Sequence, residues 1–234
     1  MTPESRWKEL AGRLGAEFAI VVLGVTIALW ADSWVEQRRD HAEEVTRLIA
    51  LQDNVTDTID ELRQQRDNAA GAIRILRRLV EPAGMPSGEI SAHLRYGMLY
   101  GGIFSAELNV YDDLKSSGEL AMLTNPDLRR ALAKMDARLD QLLFAQQDLA
   151  VVQQREIDSY LVDQMDMREL YGDDLGLAWL PPEPDRDYAF TTQTHFSNRM
   201  LLKLDLVTQV EIGFSELEQS LLDVQRIIAR QLDD

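Results

Sequence analysis

The sequence predicts an all-α fold, in which an N-terminal transmembrane helix continues into an antiparallel four-helix-type bundle with coiled-coil-like seams. Leu, Ala, Glu, Gln, Arg and Asp dominate its 234 residues, a composition typical of long helices. Apolar residues recur at spacings of three and four along extended stretches. Strand-like alternation between turn signals is absent. We therefore expect a tail and transmembrane anchor at residues 1–34 and a helical bundle domain at residues 35–234.

The charge of the chain restricts its partners. The formal net charge is -16, and residues 1–34 hold three basic and four acidic residues, so -1 belongs to this arm and -15 to the rest. An acidic surface repels phosphate backbones, which argues against nucleic-acid binding. The absence of cysteine excludes disulfides, thiolate chemistry and cysteine zinc sites, but it leaves the redox compartment open.

An apolar stretch near the N-terminus has three interpretations: a cleaved signal peptide, a buried core helix or an uncut membrane anchor. Phe18 to Ala31 contains nothing more polar than Thr26. The longer span 14–34 covers about 31 Å at about 1.5 Å per residue, close to a hydrocarbon core. Leu29 and Trp30 stand where signal cleavage requires small residues. The sequence therefore favours the uncut anchor.

Tryptophans lie on both sides of this span. Trp7 precedes it, and Trp30 and Trp34 lie at its other end, so these three residues are candidate interface anchors at the two headgroup levels. Basic residues occur on both sides of the span and barely decide its orientation. Because the N-terminus resembles an uncleaved signal anchor, we expect a single-pass protein of the bacterial inner membrane with a periplasmic body.

One face of the predicted anchor helix carries small residues led by a carboxylate. Small faces permit close helix contact in lipid, and an acid near the membrane usually faces protein or water. The alternative is that the carboxylate merely lies at headgroup level. We expect the lipid bilayer and either a second copy of the chain or a membrane protein as partners. This helix-packing face consists of Glu17, Val21, Gly24, Ala28 and Ala31, at spacings of four, three, four and three.

Three apolar stripes predict the long helices of the body. The first ends at the helix-breaking "EPAGMPSGE". The second follows Asn125 as cap with Pro126 at the first position, and it ends near Tyr171. The third begins at about Thr194. The predicted core positions are Val45, Leu48, Gln52, Val55, Ile59, Leu62, Arg66, Ala69, Ile73, Leu76 and Val80; Leu128, Leu132, Met135, Leu139, Leu142, Gln146, Leu149, Ile157, Leu161 and Met165; and Phe196, Met200, Lys203, Val207, Val210, Phe214, Leu217, Leu221, Val224 and Ile228.

The middle region, residues 89–124, predicts two shorter helices that are separated near Gly101 and Gly102 and ended by Gly118. Gly97 and Gly101 form a GxxxG pattern in a segment too short and polar to span a membrane. Close helix packing within the body is the better interpretation of that pattern.

No arrangement of residues in the sequence indicates catalysis. The histidines, His41, His93 and His195, are far apart and are best interpreted as surface residues. No HExxH, P-loop, GxGxxG, GxSxG or EF-hand pattern occurs. The sequence therefore predicts no catalytic, cofactor-binding or metal-binding residues, no cofactor and no enzymatic activity.

The connection "GDDLGLAWLPPEPDRDY" is long enough to cross one end of a bundle. Trp179, Pro181 and Pro182 in it form a candidate partner-docking loop. The alternative is that the tryptophan closes the end of the bundle.

The opening segment fits the pattern E-x3-V-x2-G-x3-A-L-x4-W-x-E-x-R. It resembles an uncharacterised family of bacterial single-pass membrane proteins with a helical body, and "YDDLKSSGEL", Tyr111 to Leu120, is similar to a second stretch of that family. The resemblance implies an anchor plus a helical domain and supplies no catalytic residues. The pattern is carried by Glu17, Val21, Gly24, Ala28, Leu29, Trp34, Glu36 and Arg38.

Three functions fit these features. The first is a membrane-anchored scaffold or adaptor that acts through self-association or docking to a membrane complex. The second is a periplasmic-type bundle that binds a small ligand and signals through its anchor to a partner. The third is an ion-coupled helix that uses Asp32 or Glu17 beside a multi-pass partner.

Overall fold

The structure is a computed structural model that describes residues 3–171, 176, 179 and 188–233, without the side chains of 3–22, 24, 28, 31, 37 and 169. The described secondary structure consists of helices, turns and irregular segments, with no strand among these residues. The prediction of an all-α fold is confirmed.

Seven α-helices account for most of the described chain. They are α1 (Pro3–Val80), α2 (Ser87–Leu99), α3 (Asn109–Ser117), α4 (Pro126–Val152), α5 (Ser159–Gln164), α6 (Met167–Tyr171) and α7 (Thr194–Asp233). A π-helical segment, Gln153–Asp158, links α4 to α5. Short 3₁₀ turns precede α4 and α7 at Glu119–Met122 and Ala189–Thr192.

The chain forms two compact units, Met1–Ala50 and Leu51–Asp234. In the first unit, the helix surface after the tryptophans carries ion pairs one turn apart. Glu43 binds Arg39 at 3.1 Å and Arg47 at 3.7 Å. Such exposed pairs contribute only about 0.3–0.5 kcal/mol each, so they support helix formation locally rather than a tertiary core.

Two helix ends in the second unit have the predicted chemistry. Gly118 follows α3 with a φ of 80°, a left-handed conformation that favours glycine. The Asn125 side-chain oxygen accepts hydrogen bonds from the amides of Asp127 at 2.9 Å and Leu128 at 3.3 Å. Pro126 occupies the first turn of α4, so the predicted cap is confirmed.

Helices α4 and α7 run antiparallel, as the order of their ion pairs shows. Lys134 binds Asp223 at 3.6 Å, and four residues further along α4, Arg138 binds Glu216 at 2.8 Å. The α1 residues of the second unit also run antiparallel to α7. Gln225 donates to Thr56 at 2.8 Å near one end of this pair.

Residues 87–117 fill a fourth position in the bundle. Glu89 of α2 binds Arg78 at 2.8 Å, whereas Asn54 donates to the carbonyl of Glu107 at 2.6 Å. Residues 87–117 therefore run antiparallel to α1, with an extended stretch between α2 and α3. The helical bundle predicted from the stripes is confirmed.

The predicted core positions of α7 are all buried, from Phe196 to Ile228. The α1 prediction needs correction at four positions, since Val45, Gln52, Arg66 and Val80 are only half-buried. Leu51 and Leu79 are buried instead of their neighbours Gln52 and Val80. The buried residues Leu51, Thr58, Ala72 and Leu79 are multiples of seven apart, and each precedes a predicted position by one residue. Rows three or four residues from a buried row share its helix face, so the spacing alone fits either row. On α4, the predicted core positions 139 and 146 are only half-buried.

A buried carboxylate joins α7 to α1 across the bundle. Glu218 is 8% exposed, and Arg63 donates to one of its oxygens at 2.8 Å while Arg66 donates to the other. The polar interruption at Arg66 in the predicted seam is therefore an ion-pair position. Its guanidinium satisfies a carboxylate that would be costly to bury alone.

Candidate functional site

Seven large apolar side chains are exposed on residues 23–35 of α1, which we call the apolar segment. Its large side chains expose between 47% and 70% of their surface. At about 100° per residue their directions cover the whole circumference of the helix. Apart from Thr26, Asp32 and Ser33, the described residues of this segment are apolar. A helix that is apolar on most sides is normally covered by protein or lipid. These side chains are Leu23, Val25, Ile27, Leu29, Trp30, Trp34 and Val35.

The two tryptophans predicted as interface anchors at this end are both exposed, Trp30 by 70% and Trp34 by 47%. The Arg38 guanidinium lies 4.1 Å from the centre of the Trp34 ring, a cation–π contact. Ser33 donates to the Trp30 carbonyl at 3.0 Å. The apolar surface thus ends in aromatic rings beside a cation, an arrangement suited to a boundary between apolar and polar surroundings.

The predicted helix-packing face and the third interface anchor have no described side chains. Glu17, Val21, Gly24, Ala28 and Ala31 belong to the range of α1, but their side chains lie outside the described residues, as does that of Trp7. These assignments stay predictions.

Within the residues that the structure describes in full, no helix is both long and apolar enough to cross a membrane. The N-terminal part of the predicted span, residues 14–22, lies outside that set.

A buried lysine forms the most unusual polar cluster of the second unit. Lys203 of α7 has 0% exposure, and its ammonium donates to the Met98 carbonyl and, at 2.6 Å, to the Gln153 side-chain oxygen. Gln153 in turn donates to the same carbonyl at 2.9 Å and to the Asp158 carboxylate at 2.6 Å. We call Met98, Gln153, Asp158 and Lys203 the Lys203 cluster.

Local backbone structure assembles this cluster. Gln153 and Asp158 are the first and last residues of the π-helical segment, where one turn widens and helix geometry departs from the α form. Met98 lies in the last turn of α2, where carbonyl groups lack partners within the helix. A cation at a helix C-terminus is favoured by the helix dipole.

Burial lowers the pKa of Lys203 from 10.5 to about 7, and the negative charge of Asp158 opposes this shift. Burial also raises the pKa of Tyr171, with a further contribution from Asp158. Because Lys203 has no solvent exposure, the cluster can hold or release a proton but cannot present the amine to a substrate in this conformation.

Lys203 belongs to the apolar stripe predicted for α7, and the sequence does not indicate the cluster around it. The one indication of the cluster in the sequence is that Lys203 is polar, whereas the other nine members of the stripe are apolar. Its partners were not predictable, since the Met98 carbonyl and the π-helical turn are features of the folded backbone.

A cleft of about 600 Å³ lies between α1 and the end of α2. Gln65, Asn68 and Gly71 line one side, and Tyr96 and Tyr100 line the other. Burial raises the pKa of Tyr100 to about 12. Its hydroxyl is buried without a hydrogen-bond partner among the described residues, which is an unfavourable state for a polar group.

Close packing explains the first glycine of the predicted GxxxG pattern. A Cβ atom added to Gly97 would lie 2.8 Å from Ile75 Cγ2 and 3.3 Å from Leu79 Cδ1. Gly97 therefore lets α2 approach α1, as the sequence predicts, whereas Gly101 has no comparable contact.

The histidines do not converge on a metal site. His41 and His195 are exposed, as predicted, but His93 is half-buried, with its Nδ1 atom 2.8 Å from the Glu89 carbonyl oxygen. In the part of the chain with described side chains, no group of three His, Cys, Asp or Glu residues is arranged to hold a metal ion.

In the predicted docking loop, only Trp179 is described, and 74% of its surface is exposed. The docking role of this loop stays a prediction. Pro181 and Pro182 lie outside the described residues.

No protein-family model matches the sequence, and no curated protein or solved structure is significantly similar to it. The resemblance of the opening segment to a family of single-pass membrane proteins stays a prediction.

Proposed function

We propose that this protein is a single-pass, membrane-anchored helical scaffold or adaptor that acts through self-association or docking to a membrane complex. The observation that carries the proposal is the apolar segment, whose large side chains face outward on every side of α1. Exposed apolar area costs about 25 cal/mol per Å², and seven such side chains need a covering environment.

The proposed anchor combines the apolar segment with the residues before it. Residues 14–34 have the length of a hydrocarbon core at about 1.5 Å per residue. The Arg38 contact on Trp34 supports a membrane boundary at this end of the span. On this proposal the protein lies in a bacterial inner membrane, with residues 35–234 as its periplasmic body.

The proposal assigns the chain no enzymatic activity, because the sequence lacks a recognised catalytic motif. Its acidic helical body offers a solvated surface for protein contacts rather than for nucleic acid.

Flotation with phospholipid vesicles tests the anchor. We expect the full chain to float with the vesicles and to resist alkaline extraction. The double variant Leu23→Lys with Ile27→Lys should largely remain in the soluble fraction, because each central charge costs about 2.5–3.5 kcal/mol on insertion. The control is Leu143→Lys with Leu201→Lys, two side chains in the bundle that are 45% and 49% exposed. Equal flotation of both variants would refute the anchor.

Cross-linking in detergent tests self-association. Gly24→Leu places a bulky side chain on the predicted small-residue face, and we expect it to abolish cross-linked dimers. Val25→Leu is the matched control, since Val25 is one residue further along the helix and therefore off that face. A wild-type chain that yields no cross-linked species would leave docking to another membrane protein as the adaptor mechanism.

A ligand-sensing bundle is a second candidate, supported by the cleft beside Tyr100 and by its unpartnered hydroxyl. Native mass spectrometry of the full chain, purified from its own membranes, should then show a bound small molecule. Gly71→Trp would fill the cleft and remove that mass. Gly88→Trp is the control, because an added Cβ meets no atom within 4 Å at Gly88 and only Arg74 at 3.8 Å at Gly71.

A further inference from the structure

We infer that a groove between α4 and α7 docks a basic amphipathic helix of a partner protein. The groove has a volume of about 490 Å³ and is lined by residues of both helices, among them Phe144 and Ile212; we call it the α4–α7 groove. The inference names a partner class for the proposed adaptor and depends on that function for its biological meaning. Its physical basis is separate from the membrane anchor.

The floor of the groove is apolar. Phe144 exposes 67% of its surface and Ile212 exposes 43%, and Leu206 lines the same groove. Neither exposed side chain is needed for the bundle core, which α4 fills with residues such as Leu142 and Leu149. Two adjacent helices with large apolar groups between them form the surface that receives the apolar face of a third helix.

Acidic residues flank this floor. Asp140 and Asp148 lie four residues before and after Phe144, so all three share one face of α4. The carboxylates are about 12 Å apart along the helix axis at about 1.5 Å per residue. Neither forms an ion pair with another residue whose side chain is described. Glu216, on the α7 side, is paired with Arg138 at 2.8 Å.

This charge pattern selects one occupant. A second copy of the chain carries a net charge of -16 and would place acidic surface against the same carboxylates, which is unfavourable. An anionic lipid surface is repelled for the same reason. The favoured occupant is therefore a helix with an apolar face and with Lys or Arg about one turn from its central apolar residue. Its apolar face would pack on the floor, and its cations would pair with the flanking carboxylates.

The test uses the full chain in detergent and a labelled 18-residue peptide of leucine and lysine in amphipathic helical order. A leucine–glutamate peptide of the same pattern is the comparison, and fluorescence anisotropy is the readout. We expect saturable binding of the leucine–lysine peptide alone, weakened by added salt.

Two variants test the groove itself. Phe144→Ser should weaken binding about 10- to 30-fold, as truncation of a central aromatic contact does. Asp148→Lys should weaken it at least about 10-fold through local like-charge repulsion. The controls are Leu143→Ser, the neighbouring exposed residue that does not line the groove, and Asp113→Lys, an exposed acid of α3. Both controls should bind within about 2-fold of wild type.

Several results would overturn the inference. No saturable binding of the leucine–lysine peptide up to about 100 µM would do so, since that range is far above specific affinities. Equal weakening by the groove and control variants would show diffuse attraction to an acidic protein. Dimerisation that Phe144→Ser abolishes would assign the groove to a second copy. Because no vesicle is present, failure of the anchor would not change these outcomes.

Discussion

Helix α7 and the apolar segment of α1 contain similar apolar side chains in opposite settings. In α7, Phe214 and Leu217 are fully buried. In the apolar segment, Leu29 and Trp30 expose 65% and 70% of their surface. Helix α7 buries one long stripe that is apolar except at Lys203, although some apolar residues outside it, such as Ile212, are exposed. In the apolar segment, large apolar side chains are exposed on all sides of α1, with Asp32 as its one charged residue. The first pattern is typical of a helix packed in a bundle, and the second is the pattern on which the proposed membrane anchor rests.

The largest expected effect is in the α7 core. Phe214→Ala removes a fully buried ring that packs edge-to-face on Phe104 with centroids 5.8 Å apart. We expect the free energy of unfolding to fall by about 3–5 kcal/mol in urea titrations. Phe144→Ala is the control, and because Phe144 is mostly exposed, its change should stay within about 0.5 kcal/mol. Similar losses for both variants would contradict the core assignment.

The next prediction concerns the polar member of the α7 stripe. Because the pKa of Lys203 is lowered to about 7, the unfolded chain binds more protons at this residue than the folded chain between about pH 7 and 10.5. The free energy of unfolding should therefore rise with pH in that window, by up to about 1.4 kcal/mol per pH unit from this group. Lys203→Met should lack this contribution.

Urea unfolding at several pH values measures the contribution of Lys203, as the difference in the pH dependence of unfolding free energy between wild type and Lys203→Met. Lys134→Met, a change at an exposed lysine of α4, should retain the wild-type slope. An unchanged slope in Lys203→Met would mean that the buried ammonium does not titrate in this range.

A smaller effect is expected at the cap of α4. Asn125→Ala removes the oxygen that accepts from Asp127 and Leu128, and we expect a loss of about 1 kcal/mol. Asn68 is exposed in the interior of α1, far from either end of the helix, so Asn68→Ala should be neutral or slightly stabilising by helix propensity. Thermal melting of both variants gives the comparison. Equal melting temperatures would show that the Asn125 cap does not stabilise α4.

The smallest change is expected in the apolar segment. Leu29→Ala should alter the urea unfolding of the bundle by no more than about 0.5 kcal/mol, because Leu29 contributes little to a protein core. A loss of unfolding free energy as large as that of Phe214→Ala would place the segment in a packed core, which would contradict the difference between this segment and α7.

The sequence predicts the regular parts of this fold well. Spacings of three and four identify the whole α7 stripe, because side-chain burial there follows helix geometry alone. Asn125, Pro126 and Gly118 mark helix ends through local chemistry that depends on neighbouring residues only.

Features that depend on tertiary contacts cannot be predicted from these local sequence patterns. The π-helical segment, the extended stretch between α2 and α3, and the partners of Lys203 each depend on residues distant in sequence. The stripe also does not reveal that Glu218 is buried, since its two arginine partners come from α1. The α4–α7 groove was missed because Phe144 belongs to no stripe.

The most direct measurement of the anchor uses the absence of cysteine from the chain. Ile27→Cys introduces one attachment site in the apolar segment, and Leu201→Cys introduces a control on exposed α7 surface. Each is labelled with a nitroxide and reconstituted in vesicles. We predict that the label at 27 collides with oxygen more often than with a polar nickel complex, as in hydrocarbon. The label at 201 should show the reverse. Equal preference for the nickel complex at both positions would contradict the membrane anchor.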